Sequence, residues 1–189
     1  GLDLADFELA EKYAGRSAVA VDSAGGNLIV GVDDRLIVAS LDDFEVRHHL
    51  TLPEGLRINR ATTRLFGYGG GVAVFDAAAR AVTLLMPGGE GLVVDDRYEL
   101  QRALTGAADD SRLATETQLD VETGRWLFLL TDSSGRYDSR LLSVGVADGQ
   151  QHGEERFSGR AFNLRPLRGT SKYTVQKVLQ LHRLTPAAY

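Results

Sequence analysis

The sequence predicts an all-β fold built from four-stranded antiparallel meanders. Apolar residues alternate with a two-residue period through most of the chain, and Gly, Asp, Asn or Ser turns interrupt the alternation every few residues. A short segment also recurs at the end of successive groups of strands. The 189 residues are 43% hydrophobic and 25% charged, which is the composition of an ordinary folded protein. We therefore expect one domain over residues 1–189, with few helices.

The first meander shows the pattern most clearly. Residues 18–21, 28–32 and 35–41 are predicted strands, joined by a Gly-rich turn and by a tight turn at Asp33-Asp34. A second acidic turn at Asp42-Asp43 leads into residues 44–50. The polar side chains of this fourth segment reach both faces, which is typical of an outer strand. The interval 17–52 therefore contains one complete four-stranded sheet.

The segment that leads into this fourth strand recurs along the chain. Asp43-Phe44-Glu45-Val46 shares an aromatic, a glutamate and an aliphatic residue with Asp6-Phe7-Glu8-Leu9 and with Arg97-Tyr98-Glu99-Leu100. Phe44 lies 37 positions after Phe7, and Tyr98 lies 54 positions after Phe44. Residues 154–157 form a poorer copy of the segment. Between the copies, predicted strands occupy 62–68, 72–75 and 81–86, and then 115–120, 125–131 and 139–146. Each interval thus holds three strands and ends on a fourth.

Repeated meanders of this length resemble the blades of a β-propeller. The resemblance implies about four blades: 17–52, 54–105 and 106–157 complete, and one shared between residues 6–13 and the C-terminal residues 160–184. The chain shows neither the Gly-His and Trp-Asp pairs of WD40 repeats nor a double glycine at a fixed place in each repeat, as kelch repeats have, so it indicates no particular propeller family. The alternatives are a part of a larger composite propeller and a β-sandwich.

The charge distribution is uneven. Residues 1–155 carry 14 basic and 26 acidic residues, whereas residues 156–189 carry seven basic residues and no acidic one. In one interpretation, Arg160, Arg165, Arg168 and Lys172 converge and bind an anionic partner. In the other, which we favour, the basic strands pack against the acidic body of the protein or of a partner. The acidic total, a net charge of −5, argues against a general nucleic-acid binder.

No motif in the sequence indicates catalysis or metal binding. The chain has no cysteine, no Gly-x-Ser-x-Gly elbow, no His-Glu-x-x-His pair and no Walker loop. Residues 132–138 lack calcium-loop spacing and are predicted to be a hairpin loop. Four acidic pairs, beginning at Asp33, Asp42, Asp95 and Asp109, are all interpreted as turns. Surface positions are expected for the four histidines, and a core position for Trp126.

These observations favour a non-enzymatic protein-interaction or ligand-binding module, such as the scaffold or sensor part of a larger protein. The alternative is a lactonase-like or glycosidase-like propeller hydrolase with carboxylates in its central channel. We expect a protein partner or a homo-oligomer, no cofactor and no metal. No apolar stretch has the roughly 18–20 residues of a membrane-spanning helix. A cytoplasmic location is slightly favoured.

Overall fold

Four antiparallel sheets follow one another along the chain in the computed structural model. The first three are four-stranded up-and-down meanders in simple sequence order, and the fourth has two strands. This confirms the predicted all-β, propeller-like array of meanders. The structure describes residues 18–22, 25–88, 92–105, 110–131, 138–159, 161–166 and 173–177.

Each sheet is called a blade below and is numbered in chain order. Blade 1 contains β1 (Ala18–Asp22), β2 (Asn27–Val32), β3 (Arg35–Ser40) and β4 (Val46–Thr51). Blade 2 contains β5 (Thr63–Tyr68), β6 (Gly71–Asp76), β7 (Ala81–Pro87) and β8 (Leu92–Glu99). A short helix, α1 (Asp110–Thr115), precedes blade 3, which contains β9 (Thr117–Asp120), β10 (Arg125–Thr131), β11 (Ser139–Gly145) and β12 (Gln151–Phe157). Blade 4 contains β13 (Ala161–Pro166) and β14 (Tyr173–Lys177).

The predicted blade boundaries agree with these strands. Each of the intervals 17–52, 54–105 and 106–157 encloses one complete four-stranded sheet. The predicted sharing of a last blade between residues 6–13 and residues 160–184 stays a prediction, because residues 6–13 lie outside the described residues. No helix that the structure describes has the length and apolar character needed to cross a membrane.

The blades pack face to face through separate apolar clusters. Blades 1 and 2 meet through residues such as Ile29, Leu36 and Val74. Blades 2 and 3 meet through the largest cluster, and Leu127 and Leu141 of blade 3 pack with residues of blade 4. The second and third strands of the complete blades are mostly buried, whereas the fourth strands β4, β8 and β12 are mostly exposed. The fourth strand is therefore the outer edge of each complete blade, as the sequence predicted.

An aromatic group forms the centre of the interface between blades 2 and 3. Trp126 is fully buried and makes an edge contact with Phe66, their ring centroids being 5.3 Å apart. The rings of Phe75 and Phe128 also contact the indole. The indole Nε1–H donates a 2.7 Å hydrogen bond to the hydroxyl of Tyr98, so the buried polar atom is satisfied. The predicted core position of Trp126 is confirmed.

A β-bulge interrupts the outer strand in each complete blade. One extra residue stands opposite the third strand in each case, namely Arg47 in β4, Asp95 in β8 and His152 in β12. The interpretation of Asp95-Asp96 as a turn was therefore wrong, because both residues lie inside β8. A bulge tolerates a polar, poorly paired residue within an edge strand, and bulges protect exposed edges from pairing with other chains.

The recurring segment identified in the sequence does not mark equivalent positions. Phe44 lies in the turn before β4 with a φ of 61°, whereas Tyr98 lies near the end of β8. The equivalent residues are Leu52 and Leu100, whose backbone N–H groups each donate to the turn between the second and third strands of their own blade. An aromatic-Glu-aliphatic triplet is short enough to arise in both settings, so the segment indicated that a repeat exists but not which positions are equivalent.

Candidate ligand-binding cleft between blades 1 and 2

A cleft of about 570 Å³ opens where the outer half of blade 1 faces the turns of blade 2. This volume lies within the range of roughly 300–1,000 Å³ that is typical of small-molecule sites. Side chains from all four strands of blade 1 contribute to its wall. The described lining residues are Asp22, Asn27, Ile29, Val38, Arg47, His48, His49, Leu50, Gly70, Gly71, Val72, Pro87, Gly88 and Leu92.

The strand register explains the apolar wall on the blade 1 side. Ile29 of β2 pairs with Val38 of β3, which in turn pairs with His48 of β4. Residues paired across antiparallel strands point to the same face, so this row crosses the sheet toward blade 2. Leu50 lies two residues after His48 and therefore extends the same face. Val72 of β6 closes the wall from the opposite side.

A glycine turn, of which Gly70 and Gly71 line the cleft, lies on its blade 2 side. Gly69 and Gly70 have φ values of 58° and 82°, a conformation that glycine adopts at little cost. A Cβ atom added to Gly71 would stand 2.0 Å from the carbonyl oxygen of Leu85, so a side chain does not fit there. The predicted hairpin turn at 69–71 is thereby confirmed, and it leaves backbone rather than side chains beside the cleft.

A polar network closes one end of the cleft. The carboxylate of Asp22, a residue only 9% exposed, accepts hydrogen bonds from the backbone N–H of Gly25 at 3.1 Å and the side-chain amide of Asn27 at 3.4 Å. Arg47 Nη1 donates to Asn27 Oδ1 at 2.8 Å and to the carbonyl of Gly25 at 3.4 Å. The bulge in β4 frees Arg47 from a cross-strand partner, and its guanidinium reaches back to the turn between β1 and β2.

Close backbone contact between the inner strands holds Asp22 in place. Gly67 of β5 lies against Asp22 so tightly that a Cβ atom added there would stand 2.3 Å from the Asp22 Cβ and 2.9 Å from its Cα. Two inner strands approach this closely only where one of them lacks a side chain. The cleft is therefore anchored at its inner end by rigid strands, and its outer end is formed by β4.

Only one of the four predicted anion-binding residues lies in the described part of the chain. Arg165 lies on β13, is exposed and pairs with Thr174 of β14. Arg160, Arg168 and Lys172 lie outside the described residues, as do residues 132–137 of the predicted hairpin loop. Anion binding by this C-terminal set stays a prediction.

The histidines and acidic pairs have varied environments. His48 and His49 are exposed, as expected, but both border the cleft. The His152 ring lies 3.1 Å from the Asp148 carboxylate. The pKa of Asp148 is lowered by the backbone N–H of Gln150 and, to a lesser degree, by His152. Asp33-Asp34 and Asp42-Asp43 form turns as predicted. Among the described residues no group of three or more His, Asp or Glu side chains could hold a metal ion.

Sequence reasoning missed the cleft itself. Arg47 and His48 stand on a predicted outer strand, where polar residues are unremarkable. The run Gly69-Gly70-Gly71 was interpreted only as a turn. A glycine-rich turn that faces an arginine on a neighbouring strand would have been a usable signal, but the two segments become neighbours only when the blades pack.

Comparison with known proteins assigns neither a family nor a ligand. No protein-family model and no curated protein matches the chain. Similar solved structures include a protein of unknown function from Bacteroides caccae, with 16% identity, a TM-score of 0.44, and coverage of 80% of this chain and 49% of that chain. Another is the dihydro-heme d1 dehydrogenase NirN in complex with DHE, with 12% identity, a TM-score of 0.39, and coverage of 84% and 42%. This chain therefore spans less than half the length of either protein.

Proposed function

We propose that the protein is a non-enzymatic ligand-binding module that holds a small molecule in the cleft between blades 1 and 2. The observation that carries the proposal is the combination of an apolar wall, formed by Ile29, Val38 and Val72, with one polar end at Arg47. Binding sites for small molecules are mostly apolar and contain a few placed polar groups that fix orientation. The cleft has a suitable volume and placed polar groups, and its lining is more polar than that of a typical small-molecule site.

The polar end favours a ligand with an apolar body and a carboxylate. Both oxygens of Asp22 already accept hydrogen bonds from the protein, so this acid serves mainly to position Asn27 and the turn. Arg47 uses Nη1 for its two described bonds, and a guanidinium carries five N–H donors. Paired N–H groups of arginine match the geometry of a carboxylate. The ligand's acid group is therefore expected beside Arg47.

The arrangement of acids favours binding over hydrolysis. A lactonase-like or glycosidase-like site needs two or more carboxylates, or a carboxylate-held metal, directed at one cavity. Among the described residues that line the cleft, Asp22 alone carries a carboxylate, and it is engaged within the protein. The predicted protein partner and homo-oligomer stay predictions.

Binding of carboxylate fragments by ligand-observed NMR tests the proposal. Leu50→Trp fills the cleft from a half-buried position on the exposed outer strand β4 and should abolish binding of apolar carboxylates. Val93→Trp is the matched control, because Val93 lies on the outer strand β8, is 51% exposed and does not border the cleft. Arg47→Gln should lower the affinity for carboxylates by about tenfold or more, which is the usual effect of losing a charged hydrogen bond. The affinity for the matching neutral amides should stay unchanged. Equal binding by the two tryptophan variants would contradict the proposal.

A further inference from the structure

Two arginines face each other directly across neighbouring strands of blade 3. Arg140 of β11 pairs in register with Arg156 of β12, and Leu130 of β10 completes the row. Like charges in directly opposed positions repel, and the pairing destabilises a sheet unless something compensates it. Arg156 is also the first residue of the basic C-terminal segment that the sequence singled out.

This arginine pair lines a cavity of about 440 Å³ that is separate from the cleft between blades 1 and 2. Hydroxyl groups accompany the guanidinium groups, and Leu130 and Phe157 supply apolar surface. The described lining residues are Leu130, Asp138, Ser139, Arg140, Arg156, Phe157 and Ser158. Cationic and hydroxyl donors on one cavity wall are the groups that bind oxyanions.

Nearby acceptors engage only some of the N–H donors of Arg140 and Arg156. Arg156 Nε donates to Glu154 Oε1 at 2.7 Å, and its side chain is 80% exposed. Arg140 Nη2 donates to the backbone carbonyl of Thr105, an acceptor without formal charge. Asp138 accepts the backbone N–H of Gly159 at 3.2 Å. In the described part of the chain, each guanidinium thus uses one nitrogen and keeps further N–H groups for a ligand.

A third arginine is linked to the cavity lining through two hydroxyl groups. Arg112 of α1 donates from Nη2 to Thr131 Oγ1 at 2.9 Å. The Thr131 hydroxyl lies 3.4 Å from the hydroxyl of Ser139, which is buried, lines the cavity and accepts the backbone N–H of Ala161 at 2.8 Å. Arg112 is therefore connected through the Thr131 hydroxyl to Ser139, which lines the cavity, while Arg112 itself is not among the described lining residues.

We propose that this cavity binds a tetrahedral oxyanion, carried as a phosphate or sulfate group, between Arg140 and Arg156. A dianion placed between two guanidinium groups removes their mutual repulsion and offers each of them two oxygen acceptors. The limited volume of the cavity favours a small anion over an extended polyanion. The site shares no described residue with the cleft, so either proposal can fail without the other.

Isothermal titration calorimetry with sodium phosphate, and separately with sodium sulfate, tests this inference. Added sodium chloride keeps the ionic strength constant. We expect saturable binding that Arg140→Gln and Arg156→Gln each weaken by about tenfold or more. Arg140→Lys keeps the charge but loses the paired donors and should give an intermediate affinity. Arg125→Gln is the matched control, because Arg125 is an exposed arginine at the other end of β10.

Each outcome of the titrations either supports the proposed site or overturns it. Stronger binding of phosphate than of sulfate, or the reverse, identifies which group the site prefers, provided that the glutamine variants lose affinity. Circular dichroism and thermal unfolding of each variant establish that the blade remains folded. Three results would each overturn the proposal. They are heats that match those of chloride alone, equal affinities in the wild type and both glutamine variants, and binding of heparin without binding of either small anion.

Discussion

Substitution of Gly67 by alanine should separate blades 1 and 2 at their inner strands. The added methyl group would stand 2.3 Å from the Cβ of Asp22 and 2.9 Å from its Cα. Ordinary van der Waals contact begins near 3.4 Å, and Cα is a backbone atom that no rotamer change can move away. Strands β1 and β5 would therefore have to move apart by about 1 Å, a shift that strains a close-packed interface.

The expected cost follows from two opposing contributions. Overpacking a close contact costs about 1–3 kcal/mol of folding free energy. Replacing glycine by alanine also restricts the unfolded chain, which stabilises the protein by about 0.4–1 kcal/mol where the backbone permits alanine. Gly153→Ala isolates this second contribution, because the nearest atom to its added Cβ is the Ser143 Cβ at 4.0 Å. Gly67→Ala should therefore be less stable than Gly153→Ala by about 1–3 kcal/mol.

Urea denaturation followed by tryptophan fluorescence measures this difference. Trp126 is the one tryptophan in the sequence and is fully buried, so its emission reports loss of the core. The two variants should show similar m-values and different midpoints, because the same surface is exposed on unfolding. Equal midpoints would refute the reasoning, since they would mean that β1 and β5 are not in contact at Gly67.

Three further predictions concern single groups and the assembly. Tyr98→Phe leaves the buried Trp126 N–H unsatisfied and should lower the free energy of unfolding by about 1–3 kcal/mol at neutral pH. Burial raises the pKa of Tyr98, so the free energy of unfolding of the wild type should fall as the pH rises above 10.0. In an alkaline titration, the phenylalanine variant should therefore lose less stability than the wild type. The pKa of Asp148 is lowered from the ordinary value of 3.8, so its carboxylate stabilises the fold at pH values above 3.8. Asp148→Asn should therefore have a lower melting temperature than the wild type at neutral pH. Thermal unfolding against pH should show the two melting temperatures converge as acid protonates the carboxylate. Light scattering at two salt concentrations should show a dimer that loosens in salt if the basic C-terminal strands contact another copy's acidic surface, and a monomer throughout if they pack within their own chain.

The strand layout was predictable because it depends on local patterns. Alternating apolar residues and turns such as Asp33-Asp34 are read directly from neighbours in sequence. The exposed outer strands were likewise visible in their polar residues. The equivalent positions of the repeat were wrong because Phe44 and Tyr98 lie in similar triplets but have different backbone conformations, and Asp95 was misplaced because a bulge lets a strand carry adjacent acids.

Neither candidate site could be read from the sequence because both depend on packing across strands or blades. The cleft joins Arg47 to a glycine turn of the next blade, and this neighbourhood follows from the contact between β1 and β5. The anion site depends on the register that sets Arg140 opposite Arg156. A shift of one residue would turn one arginine to the other face, and sequence periodicity alone does not fix pairing to that precision.

Mapping a bound carboxylate fragment on the backbone amide spectrum tests the proposed cleft most directly. The largest shifts should fall on the amides of His48, Gly70 and Gly71, which border the cleft on both blades. The amides around Arg140 and Arg156 should not move, because they belong to the other cavity. Shifts confined to blade 3, or no saturable shifts with any apolar carboxylate, would contradict the claim that the space between blades 1 and 2 is a binding site.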